Sequence, residues 1–167
     1  MKFVSDFLGN FISRFLIGGL FILHIQISQA SNTFERGTIE ILTSNGPHRV
    51  IVELAITQAQ RQQGLMWRES LPINTGMLFM FDVLETQQMW MLNTQIPLDM
   101  LFIDSKQKII KIEKNTKPFS KRIVSSVKPA LWVLELRAGT STRVGIKVGD
   151  QIRFYNRNKI KTWQPVQ

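Results

Sequence analysis

Polar side chains suited to a binding site occur within the apolar segments of this sequence. The members of this set are Arg61, Asn93, Thr94, Asp99 and Glu135, with Trp67 and Trp90 as flanking aromatic residues. A few convergent polar groups among apolar and aromatic residues are typical of small-molecule sites. We therefore expect a small polar site near Arg61, Asn93 and Asp99. The same side chains could instead stabilise the fold through internal hydrogen bonds.

Asp99 is the member of this set that most needs a structural explanation. In an extended segment it shares a face with Leu101 and Ile103, and a buried, unpaired carboxylate there would cost several kcal/mol. We expect one of two arrangements. Either a cation pairs with Asp99, with Arg61 as the candidate, or Asp99 lies exposed at the rim of a sheet.

Groups for nucleophilic or metal catalysis are sparse. The chain has no cysteine, and beyond residue 30 its single histidine is His48. No Gly-x-Ser-x-Gly motif, zinc or calcium spacing, or nucleotide-binding loop occurs. Carboxylate catalysis on a glycosidic bond needs two convergent acids. The acids that could converge are Asp99, Asp104, Glu113 and Glu135, but their spacing predicts no such geometry, so the catalytic residues are unknown.

Methionines are the remaining candidates for ligands. Thioethers are soft ligands that suit Cu(I). The six beyond residue 30 are Met66, Met77, Met80, Met89, Met91 and Met100. Their positions in apolar segments favour gap-filling in a hydrophobic core instead. We therefore expect no metal and no cofactor.

The first thirty residues have the pattern of a secretory signal peptide. Lys2 and Arg14 precede an apolar run over residues 15–27, and Ser28-Gln29-Ala30 places small residues before a cleavage site. The run is shorter than the ~20 residues of a membrane span. We expect cleavage after Ala30 and a periplasmic location. The alternative is an uncleaved anchor in the inner membrane, which would then be the one membrane contact.

The charge is concentrated in the second half of the chain. The formal net charge is +9, and residues 101–167 hold fifteen Lys or Arg against four Asp or Glu. These basic residues are dispersed rather than interleaved with aromatic residues, which favours a solvated basic face over nucleic-acid binding. The partners we expect are a small polar ligand or an anionic envelope surface, and not nucleic acid.

Short alternating segments separated by turns predict a mainly β domain with one or two short helices. Residues 38–43 and 48–56 predict a hairpin with a four-residue loop at 44–47. Thr57 and Gln60 form a capping-box pattern before a short helix over 60–66. The other predicted strands are 77–81, 89–92, 98–103, 108–114, 123–127, 130–136 and 151–155. Residues 82–87 and 128–129 are predicted as breaks, and 140–145 as a helical turn.

The corner at residues 93–95 follows from Pro97, which restricts the residue before it and cannot donate to a central ladder. The domain organisation we expect is a signal peptide (1–30), a short leader (31–37), a barrel-like β domain (38–155) and a basic tail (156–167).

Several ordered motifs together resemble one protein family. They are RQQGLMWR at 61–68, GMLF at 76–79, MWMLNT at 89–94, IPLD at 96–99, FID at 102–104 and GIKVGD at 145–150. They are similar to those of the family known as domain of unknown function 192, over about residues 38–155. The resemblance implies a small exported or membrane-attached protein with a mainly β, barrel-like fold. It transfers no catalytic residue, because the family has no established activity, and Leu92 stands where the family usually has lysine.

The function that these features favour is a non-catalytic binding or accessory module of the cell envelope. One alternative is a carboxylate-dependent hydrolase or transferase acting on envelope glycans, for which two carboxylates should line one cleft. Another is a structural partner of another envelope protein, for which an exposed apolar patch would be evidence.

Overall fold

The computed structural model describes residues 33–155, which form seven strands and two short helices. In chain order they are β1 (Glu35–Thr43), β2 (Gly46–Ala55), α1 (Gln58–Gln63), β3 (Thr75–Met89), β4 (Leu98–Ile103), β5 (Ile109–Glu113), β6 (Val124–Arg137), α2 (Thr140–Val144) and β7 (Gln151–Phe154). The predicted signal peptide and basic tail lie outside the described residues. Among the described residues, no helix has the length and apolarity that a membrane crossing requires.

The strands form one curled sheet in the order β5-β4-β6-β3-β2-β1-β7. Only β2 and β3 pair in parallel among the described strands, and α1 with the loop after it forms the crossover between them. Lys108, just before β5, forms a bridge with Gln151 of β7, so the two edges of the sheet meet at one end. The sheet is therefore a half-barrel, and the predicted mainly β, barrel-like fold is confirmed.

Each face of the sheet carries its own hydrophobic cluster. The first cluster draws side chains from all seven strands, among them Ile39, Val50, Leu78, Leu101, Ile109, Leu134 and Ile152. The second lies on the other face of β3, β4 and β6, beneath the segments that follow α1 and β3, and includes Leu65, Leu71, Met77, Phe79, Met91, Ile96, Met100 and Val133. Since β3, β4 and β6 are covered on both faces, their sequences are apolar at successive positions.

The predicted hairpin is confirmed with a shorter loop. Thr43 pairs with Gly46, which leaves Ser44 and Asn45 as a two-residue turn rather than the predicted loop of four. Gly46 has a φ of +104°, a conformation that glycine adopts without steric cost. The strand β1 begins at Glu35, so the last three residues of the predicted leader belong to the strand.

The strands β3 and β6 are both longer than predicted. Residues 82–87 and 128–129, predicted as breaks, continue these strands, with Glu85 opposite Ala130 and Thr86 opposite Pro129. The strand β4 pairs with β6 only over residues 132–137, so Pro129 lies in a two-stranded extension where its missing N–H interrupts no second ladder. The predicted strand over 89–92 is wrong beyond Met89, because β3 ends there.

Candidate functional site

A cavity of about 240 Å³ lies between α1, the middle of β3 and the segment after β3. Its lining residues are Gln58, Arg61, Gln62, Gln63, Gly64, Leu65, Met66, Phe79, Phe81, Gln88, Met89, Trp90, Thr94 and Glu135. Four of the seven predicted site residues are among them: Arg61, Trp90, Thr94 and Glu135. The structure thus brings together residues that lie more than 70 positions apart in the chain.

Glu135 contributes a carboxyl group from β6 to this cavity. It lies opposite Met77 of β3 and Met100 of β4, and only 4% of its surface is exposed. No hydrogen bond or ion pair joins its side chain to any other residue within 33–155. Burial raises the pKa of Glu135 from its ordinary value of 4.5 to about 8, because the charged form loses its hydration. The carboxyl group is therefore mostly protonated at pH 7.

Gly76 allows β3 to approach the backbone of Glu135 closely. A Cβ atom at this position would lie 2.5 Å from the carbonyl oxygen of Glu135 and 2.9 Å from Cδ2 of Leu136. Cβ atoms in proteins do not approach other heavy atoms this closely. Glycine is therefore required at position 76 for the observed separation of β3 and β6. The position of the Glu135 side chain thus depends on a glycine that does not itself line the cavity.

Arg61 forms one wall of the cavity and fastens α1 to the sheet. The helix begins with the predicted capping box, in which Thr57 Oγ1 accepts from the N–H of Gln60 and Gln60 Oε1 accepts from the N–H of Thr57. The Arg61 guanidinium donates to the carbonyl oxygens of Ile56 and Met80, the latter at 2.8 Å, and to Asp82 Oδ2 at 3.3 Å. Its charge is therefore paired with Asp82, and three of its five N–H groups are engaged within the fold.

Asp99 does not belong to this cavity. It is fully buried on the face of the first hydrophobic cluster, whereas Glu135 lies on the opposite face of the sheet. Its Oδ1 accepts from the N–H groups of Asn115 (3.0 Å) and Gly139 (3.3 Å), and its Oδ2 accepts from the N–H of Ser141 (2.8 Å). The expected pairing with Arg61 is wrong, and so is the alternative of an exposed rim position, because backbone N–H groups stabilise this carboxylate.

Asn93 and Trp67 lie beside the cavity rather than in its wall. Asn93 has a φ of +53°, which asparagine tolerates, and this turn confirms the predicted corner. Its carbonyl oxygen accepts from the N–H of Trp67 at 2.9 Å, and its Nδ2 is 3.9 Å from Met66 Sδ. Trp67 is 71% exposed. Together these contacts fasten the segment after β3 to the segment after α1.

The sequence interpretation missed most of the polar and aromatic lining. The missed residues include Gln58, Gln62, Gln63, Gln88, Phe79 and Phe81. A usable signal was the glutamine-rich helix QAQRQQ, which follows the capping box directly. Met66 and Met89 also line the cavity and are only partly buried, whereas the other four methionines are fully buried and fill the core as predicted.

The four acids that could have converged do not share one cleft. Glu135 is the only carboxyl group among the cavity's lining residues. Glu113 pairs with Arg122 and lies 3.7 Å from Lys111, and Asp104 accepts from the N–H groups of Lys106 and Lys108. Within residues 33–155 no group of three or more His, Asp or Glu side chains is arranged to hold a metal ion.

The fold and the cavity define a small β half-barrel with one buried carboxyl group facing a ligand-sized space. The chain belongs to the DUF192 family, described as "Uncharacterized ACR", whose model matches residues 40–154. This result confirms the resemblance noted from the motifs.

The crystal structures that are similar to this chain include the following two. One is of a protein from Sinorhizobium meliloti 1021 described as a candidate transcription regulator, with 41% identity and a TM-score of 0.71, covering 73% of this chain and 95% of that one. The other is of a protein of unknown function from Novosphingobium aromaticivorans DSM 12444, with 32% identity and a TM-score of 0.70, covering 72% of this chain and 86% of that one. No curated protein matches this chain.

Proposed function

We propose that this protein is an exported binding module that holds a small polar molecule in the cavity beside Glu135. The observation that carries the proposal is the buried Glu135 carboxyl group, which faces the cavity with no hydrogen-bond or ion-pair partner among residues 33–155. A buried polar group normally has a partner, since leaving it unsatisfied costs about 1–3 kcal/mol. A ligand would supply that partner.

The composition of the cavity supports binding over a purely structural role. Half of its lining residues are apolar or aromatic and half are polar, and Arg61 and Glu135 are the only charged groups among them. Perturbed carboxyl groups in a cleft of this kind mark functional sites more often than chance. The volume of about 240 Å³ lies below the ~300–1,000 Å³ of typical drug-sized pockets, so the ligand should be small.

The export part of the proposal rests on the sequence of residues 1–30. The basic residues of the second half, such as Lys106, Lys114, Lys121 and Lys128, have exposed side chains and would be available to an anionic envelope surface. A regulator role, as described for the Sinorhizobium meliloti protein, has less support. The two described helices have six and five residues, which is short for a DNA-recognition helix.

Export can be tested by expressing the full chain with a C-terminal tag in a Gram-negative host and fractionating the cells. A periplasmic product whose N-terminal residue is Ser31 would support the proposal. An intact chain in the cytoplasmic fraction would contradict it.

Binding can be tested on the purified protein with an NMR screen of small polar fragments. We expect ligand-dependent shifts at the Trp90 indole and the Thr94 amide, and a marked loss of binding in Glu135→Gln. Glu69→Gln changes an exposed carboxylate outside the cavity and serves as the matched control. Shifts confined to other surfaces, or equal binding by Glu135→Gln and wild type, would refute the site.

A further inference from the structure

We propose that the ligand of the Glu135 cavity is a small organic cation, such as a primary amine or a methylated ammonium. This inference rests on the proposed function and names the chemical class for the same site. Its basis is that no donor among residues 33–155 bonds the Glu135 carboxyl group and that the charge of Arg61 is already paired with Asp82.

The Glu135 carboxyl group has no donor to stabilise its charged form. Asp99, a fully buried carboxyl group on the adjacent strand, accepts three backbone N–H groups, whereas Glu135 accepts none from residues 33–155. An ammonium group would supply both the missing N–H donors and the missing counter-charge. Charge-assisted hydrogen bonds of this kind are about twice as strong as neutral ones.

The other charged group of the cavity is already neutralised. Arg61 is the only cation among the lining residues, and its guanidinium is bonded to two carbonyl oxygens and to Asp82 of β3. An anionic ligand would therefore have to compete with Asp82 for the charge of Arg61. This arrangement favours a cation over an anion.

The remaining groups around Glu135 carry no charge. The strands β3 and β4 place Met77 and Met100 beside it, and the segment after β3 contributes Thr94, whose hydroxyl donates to the carbonyl oxygen of Leu92 at 3.1 Å. The helix α1 contributes glutamines besides Arg61. Glu135 is thus the only group of the lining that changes charge between pH 5 and pH 9.

The walls of the cavity also suit a cation. Three aromatic residues, Phe79, Phe81 and Trp90, and the thioethers of Met66 and Met89 line it. Aromatic rings attract cations through their negative faces, and sulfur atoms are weak acceptors. The Arg61 guanidinium already lies 5.6 Å from the centre of the Phe81 ring, an example of such a contact within the fold.

Cation binding should be coupled to release of a proton. In the empty cavity burial keeps the pKa of Glu135 near 8, so an ammonium group must displace the carboxyl proton when it binds at pH 7. The affinity should then rise with pH, by about tenfold per pH unit well below the pKa and little above it. A neutral ligand would show no such rise, and an anionic ligand would show the opposite trend.

The test is a charge-matched series titrated by NMR into the full purified protein at pH 6, 7 and 8. The probes are butylammonium, trimethylammonium, butyramide and butyrate. We expect the two cations to bind with affinity that rises with pH, and calorimetry in buffers of different ionisation enthalpy to show proton release. In Glu135→Gln both effects should disappear, whereas Glu69→Gln should behave as wild type.

The possible failures can be told apart. If butyramide or butyrate binds at Trp90 and Thr94 more tightly than the cations, the ligand class is wrong and the binding function stands. If cations bind there with affinity independent of pH, the coupling to Glu135 is wrong and with it the basis of the inference. If neither this series nor the wider fragment screen shifts the cavity residues, both the ligand class and the proposed function are refuted.

Discussion

Asp99 and Glu135 are buried carboxyl groups on adjacent strands that point to opposite faces of the same sheet. Asp99 accepts three backbone N–H groups, and Glu135 accepts no hydrogen bond from the described residues. Both residues are buried, at 0% and 4% exposure, so burial alone does not distinguish them. The difference in partners makes Asp99 a part of the framework, whereas Glu135 lines the cavity, where we propose that a ligand binds.

Replacing Glu135 with glutamine should change how stability depends on pH. The folded protein keeps the Glu135 proton up to about pH 8, whereas the unfolded chain loses it near 4.5. Between these pH values the folded state therefore binds more protons than the unfolded chain. The contribution of Glu135 to the free energy of unfolding falls as the pH rises from about 4.5 to 8. Relative to wild type, the free energy of unfolding of Glu135→Gln should rise by on the order of a few kcal/mol as the pH increases from 5 to 9.

Thermal unfolding of wild type, Glu135→Gln and the exposed control Glu69→Gln at several pH values would measure this effect. The melting temperature of Glu135→Gln should fall less with rising pH than that of the other two proteins. Parallel curves for all three would mean that Glu135 is ionised in the fold, and the buried-acid interpretation would fail.

Replacing Asp99 with asparagine should destabilise the protein at neutral pH. Asparagine offers one acceptor oxygen where Asp99 uses two, and its amide N–H groups would face the donors of Gly139 or Ser141. A loss of about 1–3 kcal/mol follows for each buried donor left unsatisfied. A melting temperature equal to that of wild type would show that these three hydrogen bonds contribute little, contrary to expectation.

Two glycines in strands provide a matched test of the close approach at Glu135. At Gly76 an added Cβ would lie 2.5 Å from the Glu135 carbonyl oxygen, whereas at Gly37 of β1 the nearest atoms lie at 3.6–3.8 Å. We expect Gly76→Ala to lower the free energy of unfolding by about 1–3 kcal/mol through overpacking. Gly37→Ala should leave it unchanged or raise it slightly. Denaturant titration of the two variants checks this, and equal stabilities would contradict the strand separation described above.

Replacing Arg61 with lysine should loosen α1 from the sheet. The guanidinium bonds two carbonyl oxygens and Asp82, and an ammonium group cannot reproduce that planar geometry. We expect the free energy of unfolding to fall by about 1–3 kcal/mol and the amide hydrogens of α1 to exchange faster. Arg153→Lys, at an exposed position of β7, is the control and should leave both quantities unchanged. Unaltered exchange in Arg61→Lys would show that other contacts hold the helix.

Local patterns in the sequence predicted those parts of the fold that depend on neighbouring residues. The Thr57 capping box, the corner before Pro97 and the face on which Asp99 lies all follow from spacings of a few residues. The length of β6 could not be predicted in this way. Pro129 predicts the end of a strand unless it is known that β6 pairs with β3 alone at this position. The partners of Asp99 could not be predicted either, because they are backbone groups that lie 16 to 42 positions away in the sequence.

The candidate site was predicted only in part, because local patterns identify residue types but not the pairing of distant strands. Arg61, Trp90, Thr94 and Glu135 were recognised by polarity or aromaticity within apolar segments. That Glu135 and not Asp99 faces the cavity depends on how β4 and β6 align, and a shift by one residue would exchange the two faces.

The meeting of the sheet edges near Lys108 and Gln151 has a consequence for aggregation. An open sheet offers two rows of unpaired backbone groups on which a second chain can add a strand. Here the edge strands have only five and four residues, and backbone groups of Gln107 and Ile109 bond Ile152, Gly149 and Asp150 across the gap. Lys111 and Arg153 add positive charge along the same edges. The half-barrel thus leaves little free edge for strand addition, which protects a chain that has no disulfide bond to hold it closed.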